Sequence, residues 1–126
     1  MDKMKQRLQE VGDLTRRLKK EFPSETSGFL DFIRSAEAGR ALSLKHKELV
    51  NVALSIAAQC EWCIAFHVRN AVGAGAKRSE ILEAGFQAVI MHGGPAFMWM
   101  TPLYQALDEF APEQEDGSRP AAPGDS

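Results

Sequence analysis

Glu48, Cys60, Cys63 and His67 form the pattern E-x11-C-x2-C-x3-H, with two thiols three residues apart and an imidazole four residues beyond the second. On a helix, positions 60, 63 and 67 share one face, so a base lies within reach of an oxidisable thiol. Three residues along a helix span roughly 5 Å between Cα atoms, inside the disulfide range of about 4.4–6.8 Å. A bridge closing so short a loop adds little through chain entropy, and reversible chemistry is its expected purpose. Zinc is the rival chemistry: Cys60, Cys63, His67 and either Glu48 or His92 offer four ligands of suitable type, although structural zinc sites more often draw on two separated ligand pairs. Haem attachment in its usual form is excluded, since Ile64 rather than His follows the second cysteine.

These side chains meet only if the chain bends between them. Glu48 precedes Cys60 by twelve residues, which on one straight helix is about 18 Å. A turn near Ala58 or Gln59 instead pairs two antiparallel helices and brings Glu48 level with His67. No Gly or Pro marks that turn, and a continuous helix through Gln59 would hold the two apart. Given the bend, Glu48 orients His67 and stabilises its charged form, and His67 together with a helix N-terminus favours the thiolate.

The rest of the chain supplies helices to carry this arrangement. Met4, Leu8, Val11, Leu14 and Leu18 recur at helical spacing, and Pro23 ends that first helix with Ser24 as the expected cap of the next. Phe29, Phe32, Ile33 and Ala36 line the second helix, which Gly39 ends. Ser43 caps a third, striped by Leu49, Val52, Ala53 and Ile56. A fourth carries the cysteines through Ile64, Val68 and Ala71 to Gly73 and Gly75. A fifth holds Ile81, Leu82, Ala84, Phe86, Val89 and Ile90 and stops at Gly93–Gly94. A sixth runs from about Pro95 to Phe110. The expected fold is all-α: a compact bundle of about six helices around a central antiparallel pair. Residues 1–41 read as an N-terminal helical segment, 42–110 as the core, and 111–126 as a disordered tail with Pro112, Pro120 and Pro123 scattered among acidic and small residues.

Composition narrows the function. The chain has 126 residues, 44% of them hydrophobic, which suits one globular domain, and its net charge of −2 gives no signal for a polyanion partner. Arg16, Arg17, Lys19 and Lys20 fit the last turn of a helix, where cations oppose the dipole, better than a nucleic-acid patch. The charged N-terminus lacks a signal peptide's apolar stretch and no apolar run approaches a membrane span, so a cytoplasmic location without membrane attachment is expected. In that compartment a C-x2-C pair points to redox work or metal binding rather than a structural staple. Phe97, Met98, Trp99, Met100, Leu103 and Tyr104 leave the sixth helix apolar nearly all round, which implies either a homo-oligomer interface or a central core helix.

Leu42 to Phe110 resembles the alkylhydroperoxidase D-like branch of the carboxymuconolactone decarboxylase superfamily. The matching text is Glu48, then Cys-Glu-Trp-Cys-Ile-Ala-Phe-His at 60–67, Asn70-Ala71, Gly75-Ala76, Glu80-Ile81-Leu82-Glu83-Ala84 and Gly94-Pro95-Ala96. The resemblance implies an all-α fold assembling as homotrimers or homohexamers. It also implies thiol-dependent peroxidase or disulfide reductase activity on a peroxide or disulfide substrate, with an external dithiol or redox protein as reductant and no bound cofactor. It makes Glu48, Cys60, Cys63 and His67 the redox site and its proton relay, with Cys63 as the thiol the relay serves. Alkylhydroperoxidase D has a histidine just before the second cysteine where this chain has Trp62, and true carboxymuconolactone decarboxylases lack the cysteine pair. Trp62 either shapes access to the thiols or fills an interface. His92 fits a helix C-terminus and His46 an exposed early turn. The contrasting expectation is a non-catalytic helical oligomer whose thiols act as a sensor or are vestigial.

Overall fold

A computed structural model describes residues 2–112, and among them seven helical segments and no strand occur. In chain order they are α1 (Lys3–Glu21), α2 (Pro23–Ala38), α3 (Leu44–Ala57), α4 (Glu61–Gly73), α5 (Arg78–His92), α6 (Gly94–Met98) and α7 (Met100–Phe110). The expected tail lies, beyond Pro112, outside the described residues.

Local chemistry sets most boundaries. Pro23 takes the first position of α2, where its missing N–H costs nothing, so Phe22 and not Ser24 is the capping residue. Ser43 caps α3 as expected, its side chain accepting from the His46 backbone N–H at 3.1 Å. Glu109 of α7 caps α1 from a distance: its two carboxylate oxygens accept from the N–H groups of Met4 and Lys5 at 2.9 and 2.8 Å. The single helix expected from Pro95 to Phe110 is broken at Trp99. Pro102 cannot donate to the Met98 carbonyl and its ring would crowd it, so α7 starts afresh with Pro102 in its first turn.

The bend between α3 and α4 has a definite form. Gln59 N–H donates to Ile56 O at 3.0 Å and Cys60 N–H to Ser55 O at 3.1 Å, the paired bonds of a Schellman turn. Gln59 holds its left-handed position at φ 55°. The same two bonds end α4, from Gly75 to Val72 and from Ala76 to Ala71, with Gly75 at φ 96°. The first turn is therefore a glycine turn made without glycine.

Val52 and Ile56 of α3, Ile64, Val68 and Ala71 of α4, Ile81 and Ala88 of α5, and Leu103, Ala106 and Leu107 of α7 form the core, with Met4 of α1 sealing one side. α4 lies at its centre, packed by α1, α3 and α7. Gly85 lets α5 approach α7 closely, because a Cβ there would meet Leu103 Cδ2 at 2.8 Å and Met100 Sδ at 2.9 Å. Some expected stripes are only part covered. Leu14, Phe29, Phe32, Phe86 and Ile90 are exposed in the single chain, because α2 packs chiefly on α1 and the buried face of α5 runs through Ile81, Gly85 and Ala88.

Candidate redox site

The antiparallel pair brings Glu48 of α3 to His67 of α4. His67 Nδ1 lies 2.8 Å from Glu48 Oε1, across nineteen residues of sequence. Glu48 is only 5% exposed, and a carboxylate so far from water needs partners. Asn51, one turn along α3, supplies a second by donating Nδ2–H to the same oxygen at 3.2 Å. Burial works against the charged form, but hydrogen bonds from His67 and Asn51, the nearby imidazole and Asn70 together hold Glu48 below the ordinary glutamate value of 4.5. An ionised carboxylate accepts only, so Nδ1 is the nitrogen that donates, and in a neutral imidazole so held the lone pair is on Nε2.

Cys60 and Cys63 are joined as a disulfide with Cα atoms 5.2 Å apart, close to the helical expectation. Both are partly exposed. Cys60 sits at the capping position of α4, where its sulfur accepts from the Cys63 backbone N–H at 3.1 Å. That N–H and the positive end of the helix would favour a thiolate at Cys60 after reduction. Cys63 stands one turn before His67 on the same face of α4. The arrangement thus sets an exchangeable cystine one helical turn from an imidazole bonded to a buried carboxylate.

The remaining histidines stand apart from this arrangement. His46 is exposed and faces the Ser43 hydroxyl through Nδ1 at 2.6 Å. His92 is the exposed last residue of α5. Among the described residues, no three His, Cys, Asp or Glu side chains gather as a metal-holding group.

Several neighbours were not singled out as site residues by sequence reasoning, although Asn70 stands in the family-matching text. Asn51 follows Glu48 by three residues and Asn70 follows His67 by three, spacings that put each beside its partner on one helix face; that periodicity is the signal that could have found them. Glu37 of α2 also accepts from Asn51 Nδ2, at 3.3 Å, which no local pattern announces. Nor does any pattern announce the partners of Trp62. Its indole Nε1–H donates to Glu10 of α1 at 2.8 Å, and the Arg7 guanidinium lies 5.1 Å from its ring centre. Glu10 is held below the ordinary carboxylate value by that indole bond first and by Arg7 second.

Comparison with known proteins gives a consistent picture. The carboxymuconolactone decarboxylase family pattern matches residues 25–106. An uncharacterised protein encoded in the cox locus of Paracoccus denitrificans is 36% identical over 81 residues, covering 64% of this chain and 73% of the relative. An uncharacterised protein of Cupriavidus necator is 30% identical over 105 residues, covering 83% of this chain and 93% of its own. Among solved structures, the apo form of a carboxymuconolactone decarboxylase family protein from Legionella pneumophila superposes with a TM-score of 0.84 at 35% identity, over 88% of this chain and 99% of that one.

Proposed function

Since this chain belongs to the carboxymuconolactone decarboxylase family, we propose that it is a thiol-dependent peroxidase or disulfide oxidoreductase of the alkylhydroperoxidase D-like type. The observation that carries this reading is the 2.8 Å contact of Glu48 with His67 across a hairpin whose next turn bears the Cys60–Cys63 cystine. A decarboxylase needs no such pair of sulfurs.

In the reduced protein His67 takes the Cys63 proton through Nε2, and Glu48 stabilises the imidazolium that forms. The Cys63 thiolate attacks a hydroperoxide. A sulfur–oxygen bond forms, the O–O bond breaks, and the departing alkoxide takes the proton from His67 and leaves as an alcohol. Cys60 then attacks the sulfenic sulfur as its thiolate; the S–S bond forms, and the departing hydroxide takes up the proton that Cys60 gave to solvent and leaves as water. An external dithiol returns two electrons and two protons and becomes a disulfide itself, so no bound cofactor is needed. A reducing cytoplasm would supply such dithiols. No helix among the described residues is long and apolar enough to cross a membrane.

The same reading includes self-association as a homotrimer or homohexamer. α5 and α6 leave Phe86, Ile90, Met91, Phe97 and Met98 exposed, a density of large apolar groups that a partner surface would cover. Light scattering behind size exclusion tests it: a mass of three or six chains supports it and a monomer refutes it.

Activity is tested by peroxide consumption with dithiothreitol or dihydrolipoamide as reductant. Cys63→Ser and His67→Ala abolish or strongly reduce turnover if the assignment is right. Unchanged turnover in both would refute it.

A further inference from the structure

The two residues between the cysteines, Glu61 and Trp62, are both held by α1, a helix that lies wholly before the family-matched segment. Glu61 Oε1 is approached by Lys3 Nζ at 3.2 Å and by Arg7 Nε at 3.3 Å. Arg7 Nε and Glu61 Oε1 are both buried atoms without an aligned hydrogen bond, so what they share is charge rather than geometry. Arg7 also lies over the Trp62 ring and donates from Nη1 to Glu10 at 2.9 Å, while Glu10 accepts the Trp62 indole N–H. One guanidinium therefore sits between both inter-cysteine residues and the acid that fixes the second.

This placement has a consequence for the sulfurs. Glu61 is the first residue of α4 and the immediate neighbour of Cys60. An uncompensated carboxylate there would oppose a thiolate on Cys60, against the help given by the helix N-terminus. Among the described residues, the charged and titratable groups that the contacts of Glu61, Trp62 and His67 bring together are Lys3, Arg7 and Glu10 from α1, Glu61 and His67 from α4, and Glu48 from α3. Of these, Lys3 and Arg7 are the cations that meet Glu61.

We propose that Arg7, supported by Lys3 and Glu10, is a positioning residue of the redox pair: it anchors the Glu61–Trp62 segment and cancels the Glu61 charge beside the Cys60 thiolate. This rests on the reversible cystine proposed above. α1 is then part of the working site, and the reactivity of Cys60 is set from outside the family-matched segment.

The test reduces the protein with dithiothreitol, removes the reductant, and follows iodoacetamide alkylation of each cysteine against pH by peptide mass. Arg7→Met keeps the stem over Trp62 and removes the charge. It should slow Cys60 alkylation near neutral pH about threefold, by moving the midpoint of the profile upward, the size expected of a partly screened ion pair. Adding Glu61→Gln to Arg7→Met should restore the wild-type profile, which a merely structural loss would not allow. Glu61→Gln alone should speed Cys60 by a similar factor, and this arm stands even if the Arg7 variant fails to fold. Profiles that superpose on wild type, or an Arg7→Met defect that Glu61→Gln does not reverse, would overturn the inference alone. A wild-type protein whose sulfurs neither reduce nor alkylate would overturn the redox reading and the inference with it.

Discussion

Glu48→Gln isolates the electrostatic part of the relay. The replacement keeps the size of the side chain and an oxygen that can still accept from His67 Nδ1 and Asn51 Nδ2, now 2.8 and 3.2 Å away. What it removes is the negative charge, at a site where the Glu48 side chain is 7% exposed and screening by water is weak. A hydrogen bond to a charged group contributes about 1.5–3 kcal/mol and a neutral one about 0.5–1.5, a difference of about 1–2 kcal/mol. That difference matters most when His67 has taken the thiol proton and become a cation, so it enters the barrier to thiolate formation rather than substrate binding. At 1.36 kcal/mol per tenfold, the rate of peroxide reduction should fall about 5- to 30-fold. The assay is single-turnover oxidation of the reduced protein by a hydroperoxide, followed by quenching and thiol counting, with helical content checked by circular dichroism. A folded Glu48→Gln variant reacting within twofold of wild type would refute the claim that the carboxylate charge assists His67.

Three further outcomes follow from the same geometry. Because the folded protein holds Glu48 below its ordinary value of 4.5, the stability this group contributes is complete above that pH and is lost as pH falls through the lower folded value. The urea midpoint of wild type should therefore drop more steeply on acidification below 4.5 than that of Glu48→Gln, and parallel curves would contradict the sign. Gly85→Ala forces a Cβ within 2.8 Å of Leu103 and should destabilise by about 1–3 kcal/mol, read as a lowered urea midpoint; a neutral result would mean α7 yields more easily than its packing implies. Gln59→Gly relieves a left-handed non-glycine residue and should leave the fold unchanged or raise stability by up to about 1 kcal/mol, whereas a clear loss would show that the Gln59 side chain stabilises the turn.

How far the sequence alone reached depends on the range of each interaction. Helix spans were legible because apolar spacing and caps such as Ser43 act within a few residues. The bend at Ala58–Cys60 was legible only through the demand that Glu48 meet His67, since Gln59 occupies a position glycine normally advertises. The break at Trp99 could have been read from Pro102, whose missing N–H acts four residues upstream. Exposed Phe29, Phe32, Phe86 and Ile90 could not be told from core, because a periodic apolar stripe says that a face must be covered but not by what. The clasp of Arg7 and Glu10 on Trp62 spans about fifty residues and rests on long, flexible charged side chains, for which no local pattern exists.

The central claim is that Cys60 and Cys63 cycle between dithiol and cystine at the expense of a peroxide, and intact mass measurement tests it most directly. Titrating the reduced protein with one equivalent of hydroperoxide should remove two hydrogens from the mass, with dithiothreitol restoring them and Cys63→Ser failing to form the cystine. A mass that stays unchanged while the peroxide persists, or one that gains only oxygen without closing the disulfide, would contradict the account.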